Sequence, residues 1–347
     1  MPTLAERYRR FGETDAAGTV YERVAVALSE SEAALRVIEG MPARKRHPAL
    51  VLAALHDLAL AGRAPALAAA YAAGDADAAV VAALDTLLGT AVVAPRPLRA
   101  DEKGRHTVLY PLIAEAARRV GAEAVGLIDV GCSAGFNHNV DRAHISYDNG
   151  QSLGDPASPV RLSASIVGDR PVPSQAMPEV VARIGIDAEP VDVSDEDEAR
   201  WLRACVWPDQ PERRELLDAE LTLAAQNPPT LLRGDAIEVL PDAFAQVPAD
   251  ALPVVTTTWA LSRFSLEDRL RFLQRLDSAA VGRAVAWVSA EGVGVAPAIP
   301  TFGDRHASGH SILGVAVFGG AALHTEAVGR CWSQGRLLSW LAGWAAA

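Results

Sequence analysis

The segment Val125–Asn137, VGLIDVGCSAGFN, combines an apolar run with an acid, two glycines and a serine at close spacing. Its first residues are apolar apart from Asp129, which is typical of a strand buried on both faces of a parallel sheet. Gly131 and Gly135 permit a sharp turn and a close approach of a ligand to the backbone, and Ser133 can cap the helix that follows. The segment therefore predicts a strand, a glycine turn and a helix start that bind a nucleotide cofactor.

The spacing of this turn, D-x-G-x-x-x-G, separates it from two other phosphate-binding patterns. It lacks the G-x-G-x-x-G of dinucleotide enzymes, and the chain has no G-K-[ST] of a phosphate loop. This favours S-adenosylmethionine as the cofactor, with Asp129 either serving its methionine end or ordering the glycine loop. The structural alternative is that the glycines only form a tight turn.

Two later segments have the same form, a short apolar strand followed by polar residues. After the strand in Leu231–Leu240, we expect Asp235 to accept a hydrogen bond from the adenine amino group and the Ala236 amide to contact a ring nitrogen. Helix capping is the structural alternative for Asp235. In Val254–Phe264 the strand is followed by Trp259, which we expect at the cofactor. Because sites in doubly wound sheets gather at the carboxyl ends of successive strands, the three segments together predict a methyltransferase-like sheet.

An acid that binds the ribose hydroxyls is expected after a second strand, and two candidates remain open. Asp148 follows the extended segment HISY, but it also precedes Asn149–Gly150, a dipeptide that favours turns. Asp192 follows a later extended segment and is the competing candidate.

Methyl transfer is an in-line displacement that depends largely on proximity and orientation, so a base is required only when the nucleophile must lose a proton. We predict that Asn137, His138 and Asp155 meet at the strand ends and supply the catalytic groups. Trp207 and Asp209, in the string VWPDQ, are predicted to add an apolar wall and a hydrogen-bond acceptor. A tryptophan beside proline and aspartate also forms a stable corner, which is the structural alternative for this pair.

His306 and His310 have the spacing H-x-x-x-H, but the surrounding glycines predict a loop rather than a helix. A metal site is not expected there, because no carboxylate or thiolate motif completes the pair.

The elements that position these residues follow from the spacing of apolar residues. Residues 4–88 show a helical pattern, so we expect a helical subdomain over residues 1–99 and a catalytic domain over residues 100–347. The chain between Asn137 and Leu231 exceeds one βαβα unit, which places an insertion at about residues 149–225. The other predicted elements are an edge strand at Val160–Val167, a helix and then an extended segment over Glu179–Val193, helices at 194–205, Pro211–Gln226 and Ser265–Leu276, a buried strand at Ala284–Ser289, and hairpin strands at Leu313–Phe318 and Ala322–Val328.

Composition narrows the class of protein. Of the 347 residues, 50% are hydrophobic and 22% are charged, which indicates a globular chain. The net charge of −11 gives no support to a nucleic-acid partner. Three widely spaced cysteines and a polar N-terminal segment predict a cytoplasmic protein. No membrane span is expected, because Asp57 and Arg63 interrupt the most apolar region, Ala49–Ala73. The expected partner is a small-molecule substrate, and a homodimer is left open.

The strings LIDVGCSAGFN, GDPASPVRL, CVWPDQPER, RGDAIEVL and CWSQGRLLSWL resemble an uncharacterised bacterial family, the domain of unknown function 2332. The similarity covers most of the chain. Where the family pattern has an Asn-Glu pair followed by arginine, this chain has Asp101, Glu102 and Arg105, and it has Gln334–Gly335 where many relatives have His-Gly. The resemblance implies an α/β fold, a Rossmann-like methyltransferase doubly wound sheet with an N-terminal all-helical subdomain and an insertion after the first βα unit. It implies an S-adenosylmethionine-dependent methyltransferase-like protein acting on a small molecule. The alternative is a catalytically inactive protein that senses a nucleoside metabolite or serves as a scaffold.

Overall fold

The structure is a computed structural model that describes residues 2–92, 94–98, 104–319 and 323–342. The chain forms two compact units. The first comprises Met1–Ala100 and Asp192–Asp218, and the second comprises Asp101–Val191 and Ala219–Ala347. Part of the predicted insertion therefore belongs to the same unit as the N-terminal helices. The predicted boundary at residues 99 and 100 lies outside the described residues, as do Asp101 and Glu102.

Helices dominate the first unit, and a sheet with three covering helices dominates the second. The α-helices are α1 Leu4–Arg10, α2 Val20–Glu30, α3 Glu32–Gly40, α4 Pro48–Leu60, α5 Pro65–Ala73, α6 Ala76–Gly89, α7 Arg105–Val120, α8 Glu196–Cys205, α9 Pro211–Gln226, α10 Ala236–Ala245 and α11 Leu266–Ala279. The strands are β1 Ala124–Val130, β2 His144–Tyr147, β3 Ser152–Gly154, β4 Arg161–Ile166, β5 Glu179–Asp187, β6 Thr230–Arg233, β7 Leu252–Thr258, β8 Val285–Gly292, β9 Ser311–Phe318, β10 His324–Trp332 and β11 Leu337–Trp340.

The first unit has its own apolar core. Its α1 begins with a capping box, in which the side chains of Thr3 and Glu6 each accept a hydrogen bond from the other's amide. Trp201 of α8 is fully buried in this core, and its indole nitrogen donates to the carbonyl oxygen of Pro97 at 3.1 Å. Among the described residues no single helix is long and apolar enough to cross a membrane; only α4 and α5 together, bent by 102°, have the required length and composition.

The second unit contains an eleven-stranded sheet with the order β3-β2-β4-β11-β10-β9-β8-β7-β1-β5-β6. The neighbours β6, β5, β1, β7 and β8 are all parallel. Strand β9 is antiparallel to β8, and β10 is antiparallel to β9, so the predicted hairpin is present. The protein therefore has a mixed α/β fold with a large, mostly parallel central sheet.

Helix α7 packs on one face of the sheet, and α10 and α11 pack on the other. Every residue of α7 from Arg105 to Ala117 is buried. Its apolar side chains share a core with residues of β1, β2, β7, β8, β9, β10 and β11. Because both faces are covered, β7 and β9 are buried along their whole length and show no alternation of apolar and polar residues.

Strand direction decides which loops lie together. Strands β1, β5, β6, β7 and β8 end at the same edge of the sheet, which we term the carboxyl edge. Strand β10 also ends there, because it is separated from β8 by two antiparallel pairings. Strand β2 runs the opposite way and ends at the far edge, whereas β3 returns to the carboxyl edge.

Two elements differ from the sequence prediction. The helix predicted at the start of Glu179–Val193 is instead the strand β5, paired in parallel between β1 and β6. Val180, Val181 and Ile184 favour a strand, and pairing with neighbours on both sides outweighs the local helical spacing. The strand predicted at the edge, β4, pairs with both β2 and β11 and lies inside the sheet.

Candidate functional site

The turn after β1 is tight and is fastened to the neighbouring strand. Gly131, Ser133 and Gly135 have φ angles of +77°, +51° and +74°. The amides of Gly131 and Cys132 both donate to the carbonyl oxygen of Ile186 in β5, at 2.8 and 3.2 Å. A Cβ atom at Gly131 would lie 3.1 Å from that of Ala260, in the loop after β7. Glycine at residue 131 therefore permits both the left-handed backbone and the close approach of the two loops.

Asp187 ends β5 beside this turn and was missed by the sequence prediction. Its Oδ2 accepts a hydrogen bond from the Ser133 amide at 3.0 Å, and its Oδ1 accepts one from the Glu189 amide at 2.8 Å. Its carbonyl oxygen accepts a bond from the Gly234 amide at 3.1 Å. The signal in the sequence was an apolar strand ending in an acid, IGID, which the predicted helix concealed.

Asp235 follows Gly234 at the end of β6 and caps α10. Its Oδ1 accepts hydrogen bonds from the amides of Ile237 and Glu238 at 3.0 and 3.3 Å. The side chain is exposed, and Ala236 begins the helix. Capping, the structural alternative, is thus the contact that Asp235 makes in the structure, and its contact with adenine stays a prediction.

A buried polar network lies beneath the glycine turn, on the α7 face of the sheet. Asp129 accepts hydrogen bonds from the Thr256 hydroxyl at 2.5 Å and from the Asn137 side-chain nitrogen at 3.0 Å. The Thr258 hydroxyl oxygen accepts a bond from the Arg105 guanidinium at 3.0 Å. All five residues are buried, and among the described atoms the Asn137 Oδ1 has no hydrogen-bond partner. The network links the ends of β1 and β7 to the start of α7 and leaves one acceptor for a further donor.

His138 and His106 are two buried histidines beside the network. Both ring nitrogens of His138 face backbone oxygens, those of Gly135 at 3.0 Å and Ile184 at 2.8 Å. The ring therefore holds the turn against β5. Burial lowers the pKa of His106, whose Nε2 lies 3.1 Å from the carbonyl oxygen of Phe136.

The loop after β7 combines a strained tryptophan, Trp259, with hydrogen bonds to a buried acid, Glu291, at the carboxyl edge. Trp259 has a φ of +55°, and its indole nitrogen donates to the Ser311 hydroxyl at 2.8 Å. Glu291 lies near the end of β8. Its Oε1 accepts hydrogen bonds from the amides of Ala260 and Leu261, both at 3.0 Å. Burial raises the pKa of its carboxyl group to about 7. Its buried Oε2 has no partner among the described atoms.

Left-handed backbone in residues other than glycine is confined, in the described part of the chain, to loops of the carboxyl edge. These residues are Ser133 after β1, Trp259 after β7, Phe302 after β8, and Ser333 and Gln334 after β10. Such conformations cost on the order of 1–3 kcal/mol each, and they cluster at sites of function. The strained residues and the buried polar groups thus both lie at the carboxyl edge, which is the candidate functional site.

Asp155 and the two predicted ribose acids, Asp148 and Asp192, each accept a hydrogen bond from a backbone amide. Asp155 follows β3 at the carboxyl edge, is exposed, and accepts the Ala157 amide on Oδ1 at 2.8 Å. Asp148 follows β2 at the far edge, where its carboxylate accepts the Ile166 amide and its pKa is lowered by that bond. Asp192 belongs to the first unit and accepts the Ser194 amide. The structure therefore does not bring Asp148 to the glycine turn.

Trp207 and Asp209 make structural contacts within the first unit. The Trp207 ring packs against Tyr21 and Phe11, with ring centroids 5.4 and 6.2 Å apart. Asp209 accepts the Val20 amide at 3.1 Å and so caps α2. These contacts match the corner that was the structural alternative for the pair.

The fold and the edge define a mixed α/β protein with a ligand-site candidate at the ends of its parallel strands. The chain belongs to a family described as uncharacterized proteins conserved in bacteria (DUF2332), whose profile matches residues 5–340. A search of the curated proteins found no match. The resemblance seen in the sequence motifs is thereby confirmed at the level of the family.

Proposed function

We propose that the second unit is an S-adenosylmethionine-dependent methyltransferase-like domain that acts on a small molecule. The observation that carries the proposal is the position of Asp187, which ends the strand next to β1 and binds the backbone of the glycine turn. Doubly wound sheets place an acid there to bind ribose hydroxyls. Among the parallel strands, β6, β5, β1, β7 and β8 lie in the order third, second, first, fourth and fifth along the chain, with the switch in order beside β1.

The residues at the turn fit a nucleoside. The two amides on Asp187 occupy one lone-pair site on each carboxylate oxygen, which leaves sites for two hydroxyl groups. Gly234 joins Asp187 to Asp235 and Ala236, so the adenine is assigned to the ends of β5 and β6. The predicted adenine contacts, Asp235 and Ala236, therefore adjoin Asp187 along the carboxyl edge.

The methionine end is assigned to the other side of the turn, toward Trp259. Gly131 packs closely against Ala260, which follows Trp259, and Asp129 is engaged by Thr256 and Asn137. Of its two predicted roles, Asp129 thus has contacts suited to ordering the loop. The bound cofactor would supply a methyl group on a positively charged sulfur, and the chain would orient the acceptor in line with it.

Isothermal titration calorimetry with S-adenosylmethionine and S-adenosylhomocysteine tests the proposal. We expect Asp187→Asn to lower the affinity at least tenfold, because hydrogen bonds to a charged group contribute about 1.5–3 kcal/mol each. The matched controls are Asp148→Asn and Asp192→Asn, which should bind as the wild type does. If the wild type binds neither compound at millimolar concentration, the proposal is wrong. A loss in either control with none in Asp187→Asn would move the ribose contact to that acid.

A catalytically inactive sensor of a nucleoside metabolite is the second candidate. It is favoured by His138, because both nitrogens of this predicted catalytic residue face backbone carbonyl oxygens. Incubation with methyl-labelled S-adenosylmethionine and the small-molecule fraction of a bacterial extract separates the two functions. A labelled product that depends on the protein excludes the sensor, whereas binding without product excludes the enzyme.

A further inference from the structure

The loop between β8 and β9 contains a histidine and an aspartate in direct contact. The Nε2 atom of His310 lies 2.8 Å from Oδ2 of Asp304. Arg330 of β10 donates to both oxygens of Asp304, at 2.6 and 2.9 Å. These bonds hold the pKa of Asp304 below its usual value. The aspartate is therefore a fixed anion oriented toward one nitrogen of the imidazole.

Aromatic rings and a strained backbone enclose this pair. The rings of His310 and Trp332 have centroids 5.5 Å apart, and the guanidinium of Arg330 lies over Phe302 at 4.8 Å. Phe302 has a φ of +56°. The His310 side chain is only 7% exposed, although the loop around it is mostly exposed. The imidazole is thus held in one orientation by groups on two separate elements.

The pair adjoins the methionine side of the proposed site. Ser311, the next residue after His310, accepts the indole hydrogen bond of Trp259 at 2.8 Å. Ser311 also pairs with Gly292, the residue after Glu291, and with Cys331, the residue before Trp332. His310 therefore stands at the same edge as the Trp259 turn, on the side away from Asp187.

We propose that Asp304 and His310 form an acid–base dyad that accepts the proton of the methyl acceptor. Asp304 holds the hydrogen on Nε2, so the lone pair of His310 lies on Nδ1. As the acceptor's lone pair forms its bond to the methyl carbon and the carbon–sulfur bond breaks, the acceptor's proton passes to Nδ1. The resulting imidazolium is stabilised by Asp304, while Arg330 keeps the carboxylate in place.

The dyad specifies a class of substrate and rests on the proposed function. An acceptor such as a carboxylate or a thioether has no proton to lose and would not need a base. The substrate is therefore a small molecule whose nucleophile carries a proton, such as a hydroxyl, a thiol or an N–H group. In the structure Asp304 contacts His310 and is itself paired with Arg330.

Kinetics of three variants test the dyad. With the labelled extract assay, we expect His310→Gln to lower kcat by about 10²–10⁴-fold and Asp304→Asn by at least tenfold. The affinity for S-adenosylhomocysteine should stay within twofold of the wild type in both. The matched control is His306→Gln, because His306 is an exposed histidine of the same loop, and its kcat should be unchanged.

A second measurement does not depend on turnover or on the folding of a variant. Nitrogen-15 NMR of the wild-type imidazole rings should find the hydrogen of His310 on Nε2 and a bare Nδ1. The dyad is overturned if the hydrogen lies on Nδ1, or if His310→Gln retains kcat within threefold. Failure of the wild type to bind either nucleoside would instead reject the proposed function and the dyad with it. Binding and transfer with an unaffected His310→Gln would reject the dyad alone.

Discussion

Glu291 should make the free energy of unfolding depend on pH. Burial raises the pKa of its carboxyl group from 4.5 to about 7, although two backbone amides and the charges of Arg105 and Arg269 oppose the rise. In the unfolded chain the pKa returns to its ordinary value. The folded state therefore binds the proton more tightly than the unfolded state does. The corresponding stabilisation is complete below about pH 4.5 and is lost as the pH rises through 7.

The size of the effect follows from the two pKa values of Glu291. At 1.36 kcal/mol for each pH unit, their difference corresponds to about 3 kcal/mol, of which about 2.5 kcal/mol falls between pH 5 and pH 9. Glu291→Gln keeps an oxygen that can accept the amides of Ala260 and Leu261 but does not ionise. The variant should therefore gain about 2.5 kcal/mol relative to the wild type between pH 5 and pH 9.

Urea unfolding at five pH values from 5 to 9, followed by fluorescence and circular dichroism, measures this difference. The matched control is Glu267→Gln, which removes an exposed carboxylate on the first turn of α11 and so measures the loss of a charge without burial. If the Glu291→Gln difference changes by less than about 0.5 kcal/mol over this range, the carboxyl group is not desolvated in the folded state.

Four further substitutions test the packing of the site and of the first unit. Gly185→Ala should destabilise the protein by about 1–3 kcal/mol, because its Cβ would lie 2.6 Å from the sulfur of Cys132, and Cys132→Ala should relieve part of that loss in a double-mutant cycle by urea unfolding. Gly154→Ala should lower the free energy of unfolding by at least about 2 kcal/mol, seen as a lower midpoint of thermal unfolding, because its φ is +80° and its Cβ would overlap a backbone oxygen. Asp209→Ala should cost about 1 kcal/mol by removing the side-chain acceptor for the first amide of α2, with calorimetric binding of S-adenosylhomocysteine unchanged; a loss of binding without a loss of stability would instead support the predicted role of Asp209 in the site.

The sequence predicts the elements whose apolar pattern and capping or turn residues are adjacent in the chain. The buried run of β1 with its glycine turn, the serine cap of α11 at Ser265 and the hairpin of β9 and β10 all follow the predicted order. Asp235 was located correctly at the start of a helix, because an acid after Gly234 is a local capping signal. For such elements the sequence neighbours carry a signal that agrees with the final fold.

Features that depend on distant pairing were not predictable in the same way. Strand β5 owes its conformation to β1 and β6, which are remote in the chain, so Asp187 at its end was overlooked. Glu291 and Asp304 depend on contacts from separate loops, and neither carries a spacing motif. An aromatic residue beside prolines suits both a wall and a corner, so the sequence leaves both roles open for Trp207. Its packing against Tyr21 is a contact that the sequence does not reveal.

The buried helix α7 has a consequence for synthesis of the chain on the ribosome. The helix precedes every strand that covers it, and its apolar side chains share their core with Leu338 and Trp340 of the last strand. At ordinary rates of translation, the interval between the helix and that strand is on the order of tens of seconds. Throughout this interval the apolar surface of α7 lacks part of its cover and is available to chaperones or to other nascent chains. A premature stop before β10 would make that exposure permanent, so truncated products of this protein should aggregate or be degraded even though the whole glycine turn has been made.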